Sequence, residues 1–293
     1  MEPLFKTAEE VVSNYFARRR DEPEHGTIEI FDQRYLMVRG ASLSVEFFSV
    51  VRDIFGAGRS DEADDFSRNI LFDLAHAMGK ADARNFHEKM ELDDPIARLS
   101  AGPVHFSHAG WAYVDISDRS NPVAGPDYYL LYDHPYSFES DAWKRGGQSS
   151  ESPVCIMNAG YSSGWCEESF GLRLRAAEIL CRARGDDCCR FIMAPPERLE
   201  GHILEYAAEA GEAGSNIGEY TVPDLFARKR LEDELREARD NLERRVADRT
   251  EELRAANRRL QEEIENRTRV ERMLTQSQKL EALGRLAGGI AHD

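Results

Sequence analysis

Four residues in the middle of the chain have the types and spacing of a metal site. Cys155, Glu178, Cys181 and Cys189 offer three thiolates and one carboxylate, a donor set that suits tetrahedral zinc in a reducing compartment. On an ideal strand Glu178 and Cys181 point to opposite faces, so a bulge or a strand end is required between them. The alternative is that these cysteines are ordinary buried core residues.

The run LGRLAGGIAHD at 283–293 holds a second reactive group. The imidazole of His292 is a competent nucleophile near neutral pH, and the carboxylate of Asp293 can orient or deprotonate it. The alternative is a histidine on a helix surface beside an aspartate. Because neither a glycine cap nor a proline follows, we expect the chain to be a piece of a longer protein.

The elements that must position the cysteines lie in a region of mixed helix and strand before residue 226. Hydrophobic spacing predicts helices in five segments and alternation predicts strands in others. The predicted helices are TAEEVVSNYFARRR with Thr7 as cap, SLSVEFFSVVRDIF, DDFSRNILFDLAHAMGKADARNFHEKM, SPVCIMNAGYSSGWCEESFG and PERLEGHILEYAAEA. The predicted strands are TIEIF with RYLMVRG, GWAYVDIS, DYYLLYDH, and a hairpin in LRAAEILCRARGDDCCRFIMA that turns at ARGDD.

Composition changes near residue 224. From there the chain has no glycine before Gly284 and no proline. An apolar seam follows heptad spacing, with steps of four that indicate stutters. This favours a parallel dimeric coiled coil over a lone solvated helix, which would be poorly stable with so thin an apolar stripe. The seam consists of Leu231, Leu235, Ala238, Leu242, Val246, Arg249, Leu253, Ala256 and Leu260.

Charge and composition exclude several classes of protein. The net charge of −16 resides before the seam, because residues 1–226 hold 22 basic and 39 acidic residues against 16 and 15 after them. So acidic a body repels nucleic acid. The chain lacks a run long enough for a membrane helix and lacks a signal-peptide pattern, so we expect a cytoplasmic protein without membrane contact.

The segment around His292 closely resembles the phosphoacceptor helix of sensor histidine kinases. The resemblance implies that His292 is phosphorylated, that Asp293 assists proton transfer, and that a response regulator is the partner of the complete kinase. ATP would bind only in a kinase domain that this chain lacks, since neither G-x-x-x-x-G-K-[ST] nor G-x-G-x-x-G occurs after a strand. Whether the chain belongs to an enzyme thus depends on the parent protein; alone it should be inactive.

A second resemblance covers roughly residues 25–210. EILCRARGDDCCRF, preceded by NAGYSSGW, resembles the 4-vinyl-reductase-type small-molecule-binding domain. FDLAHAMGKADAR and LSAGPVHFSHAGW resemble the segment before this domain in cytoplasmic activators of aromatic catabolism. The resemblance implies zinc bound by Cys155, Glu178, Cys181 and Cys189. Its spacing selects Cys189 over the neighbouring Cys188 and leaves Cys166 to helix packing.

The same resemblance implies an effector pocket. The histidine of G-P-x-x-H, here His105, donates a hydrogen bond to the hydroxyl of the aromatic effector. A tryptophan that precedes the S-F-E segment is the second polar contact in that family, and here His134 stands in its place, which puts phenol itself in doubt. Apolar walls would come from aromatic side chains, namely Phe106, Trp111, Tyr132, Tyr161 and Trp165.

The sequence therefore predicts an α+β sensor domain followed by a long parallel coiled-coil helix. The expected function is the sensory part of a two-component histidine kinase, in which a small aromatic or hydrophobic effector controls phosphorylation of His292 through a homodimer. The alternatives are a zinc-sensing or protein-interaction module on the same kinase, and an enzyme in the N-terminal domain. The predicted divisions are an N-terminal helix with a possible dimer contact at 1–24, the ligand and zinc domain at 25–210, a linker at 211–226, the coiled coil at 227–280 and the start of the phosphotransfer helix at 281–293.

Overall fold

The computed structural model describes residues 2–210 and 225–292, and it divides the chain into two compact units, Met1–Phe226 and Ala227–Asp293. The first unit combines helices with two antiparallel sheets, which confirms the α+β class. Most of the predicted linker, 211–224, lies outside the described residues, as does Asp293. Within the described residues no helix combines the length and the apolar character that spanning a bilayer requires.

The small sheet is a meander near the N-terminus. Helix α1 (Glu2–Phe16) leads into β1 (Arg20–Glu22), β2 (Thr27–Ile30) and β3 (Gln33–Tyr35), with Ile28 opposite Tyr35. The predicted hairpin is β2 with β3, and β1 was not predicted. Helix α1 begins at Glu2 rather than after a cap at Thr7, because Pro3 is tolerated in a first turn, where its missing N–H costs nothing.

Three helices follow the small sheet. A 3-10 turn (Gly40–Leu43) precedes α2 (Val45–Phe55), and α3 (Ser60–Lys89) is a long helix. Helix α4 (Pro95–His108) was not predicted because Gly102 and Pro103 discourage a helix interior. Its start nevertheless carries a readable signal, since the Asp94 side chain accepts a hydrogen bond from the backbone N–H of Ala97 and Pro95 occupies the first position.

The larger sheet has the strand order β4-β5-β7-β6. It is formed by β4 (Ala112–Ile116), β5 (Leu130–Ser137), β6 (Arg175–Leu180) and β7 (Cys189–Ala194). Between β5 and β6 lie α5 (Phe138–Arg145), which was not predicted, and α6 (Ile156–Phe170). The predicted hairpin is β6 with β7, and α7 (Pro196–Ala210) follows it.

Alternation along the strands divides the core between the two faces of this sheet. Leu131, Ile179 and Ile192 belong to a small cluster with Leu199 and Ile203 of α7. Leu130, Tyr132, Phe191 and Met193 belong instead to the main cluster, which includes residues of α3, α4 and α6. The candidate site lies on this second face.

Glycines bring α3 and α6 unusually close together. A Cβ atom at Gly160 would overlap the backbone carbonyl of Phe72, and one at Gly164 would overlap that of His76. The glycines that made α6 look poor as a helix therefore serve its packing, and α6 is buried on almost every side.

The second unit is the helix α8 (Leu225–His292). Of the seam residues whose side chains are described, Leu242, Val246, Leu253 and Leu260 are 56–60% exposed in the single chain. The coiled coil stays a prediction. The backbone of His292 is the last turn of α8, and Asp293 is not described.

Candidate metal cluster and aromatic cavity

The four predicted metal ligands converge in the fold. Their ligand atoms all lie within 4.8 Å of one another, and all four residues are buried. Cys155 precedes the first turn of α6, Glu178 lies in β6, Cys181 follows that strand and Cys189 begins β7. The cluster thus joins a helix to a hairpin, and Cys188 does not belong to it.

A bulge near the end of β6 brings Glu178 and Cys181 to the same side. The pairing with β7 shifts register between Glu178 and Leu180, and the strand ends at Leu180. The bulge and strand end required by the three-residue spacing are both present.

Hydrogen bonds fix the orientation of the ligand atoms. One Glu178 oxygen accepts from the Cys155 backbone N–H at 2.7 Å, and the backbone N–H of Arg182 lies 3.4 Å from Cys189 Sγ. The Ser137 hydroxyl lies 3.2 Å from Cys155 Sγ. Such contacts around the donors orient ligands in metal sites.

The donor chemistry fits a tetrahedral cation. Cys155 Sγ and Cys189 Sγ are 3.5 Å apart, close to the edge of about 3.8 Å that follows from zinc–sulfur bonds of about 2.3 Å. The second Glu178 oxygen, Oε1, is buried without a hydrogen-bond partner. The cluster could therefore hold a metal ion.

Electrostatics point the same way. Burial, followed by hydrogen bonds from the other two thiols, raises the pKa of Cys155 well above its ordinary value, and burial raises that of Glu178. Hydrogen bonds from Cys155 and Cys189 lower the pKa of Cys181. Without a cation the acids compete for one negative charge, whereas a divalent ion stabilises all deprotonated donors together.

A cavity of about 40 Å³ lies between α4, α6 and the larger sheet. Its walls are almost entirely apolar, and five of the seven predicted ligand contacts line it. These five are Phe106, Tyr132, His134, Tyr161 and Trp165; the other lining residues are Leu99, Gly102, Pro103, Val114, Ile116, Leu130, Ser162, Cys166 and Met193.

The structure does not bring His105 and Trp111 to the cavity wall. His105 is buried and its ring packs on Trp165 at 4.9 Å and on Phe16 of α1 at 5.1 Å. Burial lowers its pKa to about 3, so its imidazole is neutral. Trp111 packs against Tyr161 at 4.7 Å and lines a separate surface groove. In the described structure both residues stand one side chain away from the cavity.

Three cavity residues were not predicted as contacts but follow from the periodicity of α6 and its neighbour α4. Ser162 and Cys166 lie on the same helix face as Tyr161 and Trp165, at helical spacing. The Tyr132 and Ser162 hydroxyls are 2.8 Å apart, and Ser162 donates to the Asn158 carbonyl at 2.7 Å. Cys166, expected only to pack the helix, therefore also lines the cavity, and Leu99 is its neighbour from α4.

Asp82 of α3 anchors the far end of one cavity ring. The Tyr161 hydroxyl donates to Asp82 Oδ2 at 2.8 Å and lies 3.4 Å from His105 Nδ1. Burial raises the pKa of Asp82, and the Tyr161 hydrogen bond opposes that shift. The aromatic wall is thus tied to α3, and no sequence pattern pointed to this aspartate.

Comparison with known proteins places part of the chain in a known domain type. Residues 136–195, which contain all four cluster residues, match the 4-vinyl-reductase (V-4-R) domain. The phenol regulator MopR of Acinetobacter guillouiae is 24% identical over 132 residues, a match that covers 40% of this chain and 24% of the regulator. The chain therefore spans about a quarter of the curated relative that it matches.

A solved sensory domain shares the fold. The phenol-responsive sensory domain of the transcription activator PoxR, crystallised with phenol, is 24% identical and has a TM-score of 0.56, with 68% of this chain and 94% of that chain covered. A vinyl-4-reductase family protein from Methanocaldococcus jannaschii is 18% identical with a TM-score of 0.29, over 42% and 66% of the two chains. At this identity, the likeness to the PoxR domain shows the fold of the sensor unit.

Proposed function

We propose that residues 25–210 form a sensor domain that binds a small aromatic or hydrophobic molecule in the cavity between α4, α6 and the larger sheet. The observation that carries the proposal is an enclosed apolar cavity with one buried polar side chain, His134, that has no protein partner. Ligand sites typically combine apolar walls with a few polar groups. The resemblance to MopR, named a phenol regulator, supports an aromatic effector.

The metal cluster would be a structural zinc site. Zinc held by Cys155, Glu178, Cys181 and Cys189 would fix the start of α6 against the β6–β7 hairpin, and so hold the cavity wall in place. Closed sites of four protein ligands contribute folding free energy rather than catalysis. Three thiolates bind zinc tightly, which favours this structural role over reversible zinc sensing.

The output side of the proposal is a histidine kinase. Helix α8 would pair with that of a second chain as a parallel coiled coil, and His292 would accept phosphate in the complete kinase, with Asp293 as the neighbouring acid. The exposed seam leucines of α8 support a partner helix. Effector binding regulates only if the ligand has different affinities for two packings of the dimer, a bias that stutters suit because they allow two nearly equal registers.

Ligand binding tests the sensor part directly. Purified chain would be titrated with phenol, indole and toluene by calorimetry, with thermal unfolding as a second readout. The variant Val114→Phe fills the cavity from β4, and Tyr113→Phe is its control because Tyr113 is exposed beside it. Binding that Val114→Phe abolishes and Tyr113→Phe retains supports the proposal, whereas no binding to wild-type protein at millimolar ligand refutes it.

Residue-wise insertions in α8 of the complete protein test the output. Each inserted residue rotates the C-terminal remainder of the helix by about 100°. Kinase output should vary with helical phase, and output that ignores phase would rule out register coupling.

A further inference from the structure

His134 is the unsatisfied polar group of the cavity. The side chain is fully buried, and neither Nδ1 nor Nε2 has a hydrogen-bond partner. Its ring packs on Phe191 at 4.5 Å, Tyr132 at 5.4 Å and Phe106 at 5.7 Å. A buried group without a partner costs about 1–3 kcal/mol, so its retention at the wall of a cavity points to a ligand.

The other polar groups on the cavity wall already have protein partners. The Tyr132 hydroxyl contacts Ser162, and the Tyr161 hydroxyl donates to Asp82. The Trp165 indole donates to the carbonyl of Arg98 at 3.0 Å. Among the described lining residues with side-chain nitrogen or oxygen, His134 alone has no partner for these atoms.

The same wall carries no charged side chain among the described residues. An anionic ligand would leave its charge buried and unpaired, which is strongly unfavourable. Burial lowers the pKa of His134 to about 3, so the imidazole does not supply a counter-charge at neutral pH. The cavity therefore suits uncharged molecules.

Nothing in the described structure fixes the tautomer of His134. A neutral imidazole has one N–H donor and one acceptor nitrogen, and the group that binds one nitrogen normally decides which form is present. Because both nitrogens are unpartnered, the nitrogen that meets the ligand is free to be either a donor or an acceptor.

We propose that His134 makes the cavity selective for uncharged aromatic molecules with one polar group, and that it accepts hydrogen-bond donors and acceptors alike by changing tautomer. This inference rests on the proposed sensor function and specifies its ligand class. Indole, which only donates, and acetophenone, which only accepts, should both bind. Toluene has the aromatic ring without the polar group, and benzoate adds a charge.

The titration of these four ligands tests the inference. Indole and acetophenone should bind with affinities within about tenfold of each other, each about fivefold to tenfold tighter than toluene, as one hydrogen bond of about 1 kcal/mol implies. Benzoate should not bind at neutral pH. His134→Phe should remove the preference over toluene, whereas His25→Phe, at an exposed histidine of the same domain, should preserve it.

Imidazole nitrogen chemical shifts of ¹⁵N-histidine-labelled wild-type protein supply a readout that needs no variant. The His134 signals should report opposite tautomers with indole and with acetophenone. Binding of only one of the two ligands, or the same tautomer with both, overturns the inference while leaving the sensor function intact. Failure of all four ligands to bind refutes the sensor function itself, and the inference with it.

Discussion

His134 and Cys189 lie directly opposite each other on the antiparallel strands β5 and β7. Opposed residues in an antiparallel pair project to the same face of the sheet. The polar group of the cavity and one candidate metal ligand are therefore cross-strand neighbours, and Phe191, two residues after Cys189, stacks on Tyr132 at 5.1 Å. The metal cluster and the cavity share one structural support.

We expect the purified protein to contain one zinc ion per chain. Cys181→Ser and Glu178→Gln should each lose zinc and lower the unfolding temperature, because each removes a ligand from a closed four-ligand site. Native mass spectrometry, repeated under denaturing conditions, measures the metal and any bound small molecule. Cys188→Ser is the matched control, since Cys188 is next to the cluster but outside it. Wild-type protein that is metal-free as purified and after incubation with zinc would mean that these cysteines are core residues.

Metal loss should also weaken ligand binding. Because the strand that carries Cys189 also carries Phe191 and Met193 toward the cavity side, chelation should reduce indole affinity. Titrating metal-depleted and zinc-restored protein measures this, with recovery on zinc addition as the control. Unchanged affinity in protein shown to be zinc-free would separate the two sites.

The sequence predicted the residues of the cluster and most of the strands because their signals are local. Cysteine spacing and two-residue alternation survive in a short window, and the bulge after Glu178 was required by that spacing. Long-range contacts left no such trace: Asp82 reaches Tyr161 across α3 and α6. The separation of His105 from the cavity also depends on the packing of α1, α4 and α6, which no local pattern encodes.

The close contact of α3 with α6 should make its glycines intolerant of a methyl group. Gly160→Ala and Gly164→Ala place a Cβ atom on the carbonyls of Phe72 and His76, so each should lower the free energy of unfolding by about 1–3 kcal/mol or more. Gly201→Ala in α7 is the control, because open space surrounds it and alanine favours a helix. Urea unfolding measures all three, and equal effects would contradict the packing.

His87 should make stability fall in mild acid. Burial, then the charge of Arg98, lowers its pKa to about 4 against the opposing charge of Glu168. A histidine whose folded pKa is depressed contributes stability above its ordinary pKa of 6.5, and that stability is lost as pH falls toward 4. Relative to His87→Gln, wild-type protein should lose roughly 1–2 kcal/mol between pH 7 and pH 4.5.

Unfolding by urea at several pH values measures this difference. Comparison with the variant cancels the acid sensitivity of the metal cluster, which both proteins share. Parallel stability curves for wild type and His87→Gln would show that His87 is not desolvated in the folded protein.

The seam of α8 should hold two chains together. Leu253 and Leu260 are 60% and 56% exposed in the single chain, and a solvated helix with a thin apolar stripe gains little stability alone. Replacing both by aspartate places charges opposite their own copies at the seam of a parallel dimer, which desolvation and repulsion both oppose. Sedimentation equilibrium should find a dimer for the wild type and a monomer for Leu253→Asp/Leu260→Asp. Arg254→Asp/Arg258→Asp introduces the same side chains at positions outside the seam, so it should remain dimeric. A wild-type monomer, or dissociation by both pairs alike, would exclude the seam as the dimer interface and remove the proposed route from the sensor to His292.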